Sequence, residues 1–117
     1  MKPADFRKIA LSMPEAVESA HMGHPDFRVR NKIFATLFTR DDVEWGMLKL
    51  TPVQQKQFIK TDPDVFEPIQ GGWGRGGATQ VCIKAAKKES LRRAMFTAWL
   101  NTAPKSLIEE MGDADKG

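Results

Sequence analysis

The chain has one cysteine, no tyrosine and no long apolar run. Cys82 therefore cannot form a disulfide within the chain. It alternates with Val81 and Ile83 in a β-prone stretch, which favours a small buried hydrophobe over a nucleophile. No segment reaches the roughly 18 apolar residues of a membrane-spanning helix. Asp5 and Arg7 interrupt the N-terminal residues, so no signal-peptide pattern is present, and we expect a cytoplasmic protein with no membrane partner.

Short catalytic motifs are also missing: there is no G-x-S-x-G, no H-E-x-x-H and no C-x-x-C. His21 and His24 have H-x-x-H spacing and lie near Asp26, but a zinc site needs three or four convergent ligands. Ser19 is the only hydroxyl nucleophile close to these groups, and nothing in the spacing activates it. We therefore expect no catalytic residue, no metal and no cofactor, and a protein that is not an enzyme.

The composition is that of one soluble globular domain, with 117 residues, 41% hydrophobic and 28% charged. The formal net charge of +3 is unevenly distributed. The last nine residues hold four acids and one lysine, so residues 1–108 contain 17 basic and 11 acidic side chains. We predict a single basic domain over residues 1–108 and an acidic, flexible tail over residues 109–117.

The first half of the chain is predicted to contain one short helix followed by several strands. Apolar residues at helical spacing between Phe6 and Met13, with Pro3 before them and Pro14 after them, predict a short opening helix. Residues 15–25 are polar and predict an irregular loop with two solvated histidines. Residues 26–39 show period-2 alternation and predict a hairpin that turns at residues 30–32. Residues 43–50 predict a third strand, in which Gly46 allows a bulge or a close approach opposite an aromatic ring.

The second half is predicted to be mainly helical. Residues 51–54 form a capping box with Pro52 in the first helical position, and a shorter turn runs from Asp62 to Phe66. The clearest helical stripe comprises Leu91, Ala94, Met95, Ala98 and Trp99. Leu107, Ile108 and Met111 predict a last short helix after Pro104. Together these elements predict an α+β fold of two layers, in which an antiparallel sheet (a meander plus a later strand) packs against helices.

Residues 71–77 contain five of the nine glycines and run directly into a β-prone stretch, residues 78–84. Gly72, Gly74 and Gly77 match G-x-G-x-x-G. A dinucleotide site needs a strand before that motif and a helix after it, and a phosphate loop needs Lys-Ser/Thr after the last glycine. Here the order is reversed and no such pair follows. The sequence favours a tight loop that leads into a strand over a nucleotide site.

Basic residues form two clusters, one on the predicted hairpin and one at the start of the long helix. Between them, Trp73 and Arg75 sit among glycines and could approach a nucleic-acid backbone closely. The candidate nucleic-acid-binding residues are Arg28, Arg30, Lys32, Trp73, Arg75, Lys84, Lys87, Lys88 and Arg92. The hypothesis requires folding to gather them on one positive surface. The alternative is that the cations form solvated faces and that Trp73 belongs to the core.

Five blocks of the chain carry a family resemblance: residues 23–29, 32–35, 48–50, 71–77 and 103–105. On these blocks, which span nearly the whole sequence, the chain resembles the MmcQ/YjbR family of small bacterial proteins. The block Gly-Gly-Trp-Gly-Arg-Gly-Gly is the most specific, while Ala78 stands where family members often carry an aromatic residue. The resemblance implies a secretion-chaperone-like α+β fold and a proposed double-wing DNA-binding role, and it implies no catalytic residues.

Two other binding functions remain open. A two-layer domain with an open sheet can bind a protein or peptide on its edge or face, and six methionines could supply adaptable apolar surface. Met13, Met47 and Met95, however, fall on predicted core faces. A small-anion-binding protein would instead have a concave pocket lined by the histidines, Trp73 and Arg75. We expect a monomer that binds DNA, with a protein partner as the alternative.

Overall fold

The structure, a computed structural model, describes the backbone of residues 1–116 and the side chains of residues 1–111. In this part of the chain the elements are α1 (Pro3–Leu11), β1 (Val17–His21), β2 (His24–Val29), β3 (Lys32–Arg40), β4 (Val43–Lys49), α2 (Pro52–Thr61), β5 (Phe66–Pro68), α3 (Gly72–Arg75), β6 (Ala78–Cys82), a 3-10 turn (Ile83–Ala85), α4 (Lys88–Thr102) and α5 (Lys105–Lys116). No helix among the described residues is long and apolar enough to cross a membrane.

The six strands form one open antiparallel sheet in the order β1-β2-β3-β4-β6-β5. The helices α1, α2 and α4 pack against one face of it. The ring of Phe6 in α1 lies against Gly46 of β4, and Phe58 of α2 packs on Phe66 of β5. Gly46, Val81 and Phe66 form one cross-strand row, so both helices cover the same face. The predicted two-layer α+β fold is confirmed.

The core lies between the sheet and these helices. Its largest fully buried side chains are Trp99, Phe6, Phe27, Phe34 and Phe66. Each such ring contributes about 2–3 kcal/mol of hydrophobic stabilisation when it leaves water. The buried indole of Trp99 also donates a hydrogen bond to the carbonyl of Pro14 (3.0 Å), which ties α4 to the end of the first helical segment.

Local signals in the sequence fix the start of two helices. Pro3 occupies the first turn of α1, and Asp5 accepts a hydrogen bond from the N–H of Lys2. In α2, Thr51 accepts from the N–H of Gln54 and Gln54 reaches back to the N–H of Thr51, so the predicted capping box is confirmed.

Two segments that were predicted to be irregular contain strands in the structure. Residues 15–25, predicted as a loop, contain β1 and the tight turn at Met22 and Gly23, whose φ angles are both positive. All five residues of β1 are exposed, so its sequence carries no alternation of apolar side chains. The predicted turn through Phe66 is wrong at its end, where Phe66 begins β5. β6 ends at Cys82, two residues before the predicted end.

The glycine-rich loop contains the single helical turn α3 and leads into β6, as a strand-entry loop should. Gly71 and Gly77 have φ values of 88° and 112°, which side chains rarely adopt. A Cβ on Gly74 would collide with the carbonyl of Ile69, and one on Gly77 with the carbonyl of Leu50. These contacts give the glycines a structural role within the fold.

The predicted acidic tail, residues 109–117, begins inside α5. Its last part, residues 112–117, lies outside the residues whose side chains are described.

Candidate nucleic-acid interface

The strand register brings basic residues from separate strands to one end of the sheet. Arg28 of β2 pairs with Ile33 of β3, and Lys32 follows the β2–β3 turn. On the next strands, Lys49 at the end of β4 pairs with Ala78 at the start of β6. The β2–β3 turn and the end of β4 therefore lie at the same end of the sheet. We call the surface formed there by Arg28, Lys32, Lys49 and Trp73 the Lys49 surface.

Two cavities lie on this surface, and Lys49 lines both of them. The Trp73 cavity, of about 590 Å³, is lined by Met47, Lys49, Leu50, Gly72, Trp73, Gly76 and Ala78. The Arg28 cavity, of about 430 Å³, is lined by Arg28, Asn31, Lys32, Ile33, Lys49, Asn101 and Thr102. Because they share one lysine, a chain-like ligand could occupy both cavities at once.

Trp73 is the most accessible of the three tryptophans, with 73% of its surface exposed. Trp99 is buried in the core. Trp45 is half-buried, and the guanidinium of Arg40 lies over its ring, 4.7 Å from the centroid. The alternative that Trp73 belongs to the core is therefore wrong. Arg75 extends from the same helical turn, α3, and is also exposed.

Arg28 is held in place by the buried carboxylate of Asp26. Its Nε and Nη2 atoms donate to the two oxygens of Asp26 at 2.7 and 3.0 Å, and Nδ1 of His21 lies 2.8 Å from Oδ2. Asp26 is completely buried. The hydrogen bond from Arg28, and to a smaller extent that from His21, lowers the pKa of Asp26 below its ordinary value, while burial opposes the shift. Arg28 is thus oriented, and much of its charge is compensated.

Arg30 is neutralised in a different way. It lies in the β2–β3 turn, where Arg30 and Asn31 have φ values of 50° and 69°, so the predicted tight turn is confirmed. Its guanidinium donates to both oxygens of Glu15, at 2.7 and 3.0 Å. This hydrogen-bonded pair lowers the pKa of Glu15. Among residues 1–111, by contrast, no carboxylate lies within 4.0 Å of Lys32 or Lys49.

The second basic cluster lies at the opposite end of the sheet. Lys84 is in the turn after β6, Lys87 occupies the N-cap position of α4, and Lys88 and Arg92 are in its first two turns. At the far end of the same helix, Asn101 donates to the carbonyl of Lys49 at 3.0 Å. At 1.5 Å per residue, Lys88 is about 20 Å from Asn101. The structure therefore does not gather the two clusters on one continuous surface, as the hypothesis of a single nine-residue interface required. Of those nine candidates, the Lys49 surface contains only Arg28, Lys32 and Trp73.

Sequence reasoning missed two residues of this site, Lys49 and Asn101. Lys49 follows Met47 on the sheet face away from the helices, because Gly46 and Leu48 face the core. Met47 was predicted to be a core residue, and it is instead half-buried in the Trp73 cavity. The alternation of residues 45, 47 and 49 could have indicated this face. The contact of Asn101 with β4 depends on tertiary packing and has no sequence signal.

The two histidines lie in strands, not in the loop predicted for them. His21 ends β1 and His24 begins β2, and the ring centroids are 6.3 Å apart. No group of three or more His, Cys, Asp or Glu side chains within the described residues could hold a metal ion. The function of His21 visible here is to donate to Asp26 and so help to orient Arg28.

The fold is shared with solved structures of low sequence identity. Deinococcus radiodurans protein DR2400, which carries a DUF419 domain, is 16% identical with a TM-score of 0.70, and the match covers 93% of this chain and 86% of that one. A Pseudomonas syringae protein is 13% identical with a TM-score of 0.62, and its match covers 84% of this chain and 96% of that one. At these identities the likeness shows the fold alone.

Comparison with sequences gives a more specific result. No curated protein matches the chain significantly. The model of the YjbR family matches residues 11–101, which include the sheet, the glycine-rich loop and most of α4. The match covers well over half of the chain, and it agrees with the resemblance carried by the glycine–tryptophan–glycine block. The chain therefore belongs to the YjbR family.

Proposed function

We propose that this protein is a binding protein rather than an enzyme, and that it binds DNA through the Lys49 surface. One observation carries the proposal: Lys49 joins a cavity that holds an exposed indole to a cavity that holds Lys32 and Arg28. An aromatic face next to a row of cations is the combination that binds bases and phosphates along a strand.

Trp73 supplies the aromatic face. Bases stack on exposed aromatic side chains, and each stacked base contributes about 1–3 kcal/mol. Stacking on Trp73 requires a base that is not stacked in a duplex, so single-stranded or locally opened DNA fits this surface better than a closed duplex. Met47 and Leu50 line the same cavity and provide apolar contact for a base or sugar.

Lys32, Lys49 and Arg28 supply the phosphate contacts. The two lysines are exposed and have no carboxylate within 4.0 Å among residues 1–111. Arg28 uses Nε and Nη2 for Asp26, and its Nη1 group makes no side-chain hydrogen bond within the described part of the chain. A guanidinium fixed by a buried carboxylate loses little side-chain entropy when it binds a phosphate.

Charge-removing variants test the phosphate contacts. Binding of labelled single-stranded and duplex DNA is measured by fluorescence anisotropy over a range of salt concentrations. For Lys32→Gln with Lys49→Gln we expect weaker binding and a salt slope for single strands reduced by about 1.4, which is 0.7 for each lost phosphate contact. Lys56→Gln with Lys60→Gln on α2 removes the same charge elsewhere and is the matched control. Equal losses in both double variants, or no binding at low salt, would reject the proposal.

Trp73 provides an independent test. Single-stranded DNA should quench the fluorescence of Trp73, and Trp73→Ala should remove that change and weaken binding by about 5-fold or more. Trp73→Phe should keep part of the affinity because phenylalanine can still stack. Since Trp73 is exposed, neither variant should change the thermal unfolding midpoint much. Unchanged affinity in Trp73→Ala would show that the indole does not contact DNA.

A further inference from the structure

A third cavity, between α1 and the start of α4, lies at the other end of the molecule from the Lys49 surface. It has a volume of about 360 Å³. Its lining residues are Met1, Asp5, Lys8, Ile9, Ser12, Lys88 and Arg92. We call it the α1–α4 cavity. Its size is that of a pocket for a small ligand, and its floor includes the buried side chain of Ile9.

Three cations from two helices line this cavity. Among residues 1–111, no carboxylate lies within 4.0 Å of Lys8, Lys88 or Arg92. The one acid in the lining, Asp5, accepts a hydrogen bond from the N–H of Lys2 at 2.8 Å and so caps α1. Within this part of the chain, the charges of these three side chains are therefore not compensated by an ion pair.

The start of α4 adds further positive potential. Lys88 is the first residue of this 15-residue helix, and the capping residue Lys87 makes no side-chain hydrogen bond to the first turn. The first backbone bond of the helix runs from Leu91 N–H to the carbonyl of Lys87, at 3.0 Å. Uncapped N–H groups and the helix dipole both favour a negative charge at this position. Glu89 supplies one negative charge in this first turn, and an anion bound beside Lys87 and Lys88 would add to it.

We propose that the α1–α4 cavity binds a small anion with several negative charges, of the phosphate-ester or polycarboxylate class. Arg92 and Lys88 on α4 and Lys8 on α1 would contact the charged groups, and Ile9 would contact an apolar part of the ligand. The cavity is a second site, about 20 Å along α4 from the Lys49 surface. It does not depend on the proposed binding of DNA.

Isothermal titration calorimetry of the full chain with pyrophosphate and with citrate tests this site. Arg92 lines the cavity and its neighbour Arg93 does not, while both are exposed on the same helix. Arg92→Gln and Arg93→Gln therefore remove the same charge from adjacent positions. We expect Arg92→Gln to weaken binding about tenfold, the value of one charge-assisted hydrogen bond, and Arg93→Gln to change it less than about twofold. Thermal unfolding without ligand should match in both variants.

The calorimetry results decide whether the α1–α4 cavity binds anions. Loss of affinity in Arg92→Gln alone supports the site, and the preferred probe tells phosphate esters from polycarboxylates. No heat with either probe at millimolar concentration, or equal losses in the two variants, overturns it. Affinity for single-stranded DNA should be unchanged in Arg92→Gln. A loss of DNA affinity without any binding of the small anions would instead assign Arg92 to the nucleic-acid interface and overturn the proposal.

Discussion

Replacement of Asp26 by asparagine should destabilise the fold, because Asp26 anchors Arg28 and His21 on the sheet face away from the helices. The carboxylate is completely buried and takes part in three hydrogen bonds, at 2.7, 2.8 and 3.0 Å. Asparagine has nearly the same shape, but it is neutral. Its NH₂ group would also face an N–H donor of Arg28 or the ring of His21.

The size of the effect follows from these contacts. A hydrogen bond to a charged group contributes about 1.5–3 kcal/mol, and the partial exposure of Arg28 favours the lower end of this range. We expect Asp26→Asn to lower the free energy of unfolding by about 2 kcal/mol at neutral pH. For a domain of this size that corresponds to a fall in the melting temperature of roughly 8 °C. Urea unfolding followed by circular dichroism measures the first quantity, and a thermal scan the second.

The destabilisation caused by Asp26→Asn should disappear in acid. Hydrogen bonding holds the pKa of Asp26 in the folded protein below its unfolded value of about 3.9. Its contribution to stability is therefore fully present above about pH 4 and is lost as the pH falls through the folded pKa. The difference between wild type and Asp26→Asn should be largest near pH 7 and should shrink below about pH 4.

A matched control and a clear refutation are available. Asp64 is exposed, and its side chain makes no hydrogen bond within the described residues, so Asp64→Asn should change stability by less than about 0.5 kcal/mol. If Asp26→Asn behaved like Asp64→Asn, or if its effect were the same at pH 7 and pH 3, the argument for a stabilising buried carboxylate would fail.

Three further predictions concern two glycines and one helix cap. Gly46→Ala should cost about 1–3 kcal/mol, because its Cβ would lie 2.7 Å from Cζ of the Phe6 ring. Denaturant unfolding should show that Phe6→Leu makes the alanine less harmful, and strict additivity would contradict the contact. Gly77→Ala should lower the yield of folded protein and the free energy of unfolding, the latter by about 3 kcal/mol or more. The reason is that φ is 112° and the carbonyl of Leu50 occupies the Cβ position. A melting temperature close to that of wild type would refute this prediction. Thr51→Ala should lower the free energy of unfolding, measured in urea, by about 1 kcal/mol because the α2 cap is lost. Thr51→Ser should retain most of the stabilisation by this cap.

Features with a local cause could be read from the sequence. The capping box at Thr51 and the turn at Arg30 and Asn31 depend on a few adjacent residues, and both were predicted correctly. Gly46 was predicted to allow a bulge or a close aromatic approach. The β3–β4 register is regular, so the second alternative is confirmed, with Phe6 as the ring. The partner was not predictable, because it comes from a helix forty residues earlier in the chain.

Features that depend on the environment of a strand were missed. β1 has five exposed residues, and nothing in its polar sequence distinguishes it from a loop. β5 has only three residues and forms because β6 pairs with it. For the same reason the candidate site was only partly predictable. The pattern of charges indicated Arg28 and Lys32, but the neutralising positions of Asp26 and Glu15 and the role of Lys49 follow from register and long-range packing.

The strand order has a consequence for synthesis of the chain. β6 lies between β4 and β5, although it is the last of the six strands to be made. Until residue 82 has left the ribosome, β4 has an unpaired edge on that side, and Leu48 lacks the neighbour that Thr79 later provides. An exposed edge of this kind is a template for pairing between chains. Ribosome-bound fragments that stop within the glycine-rich loop should therefore aggregate more readily than fragments that also include β6.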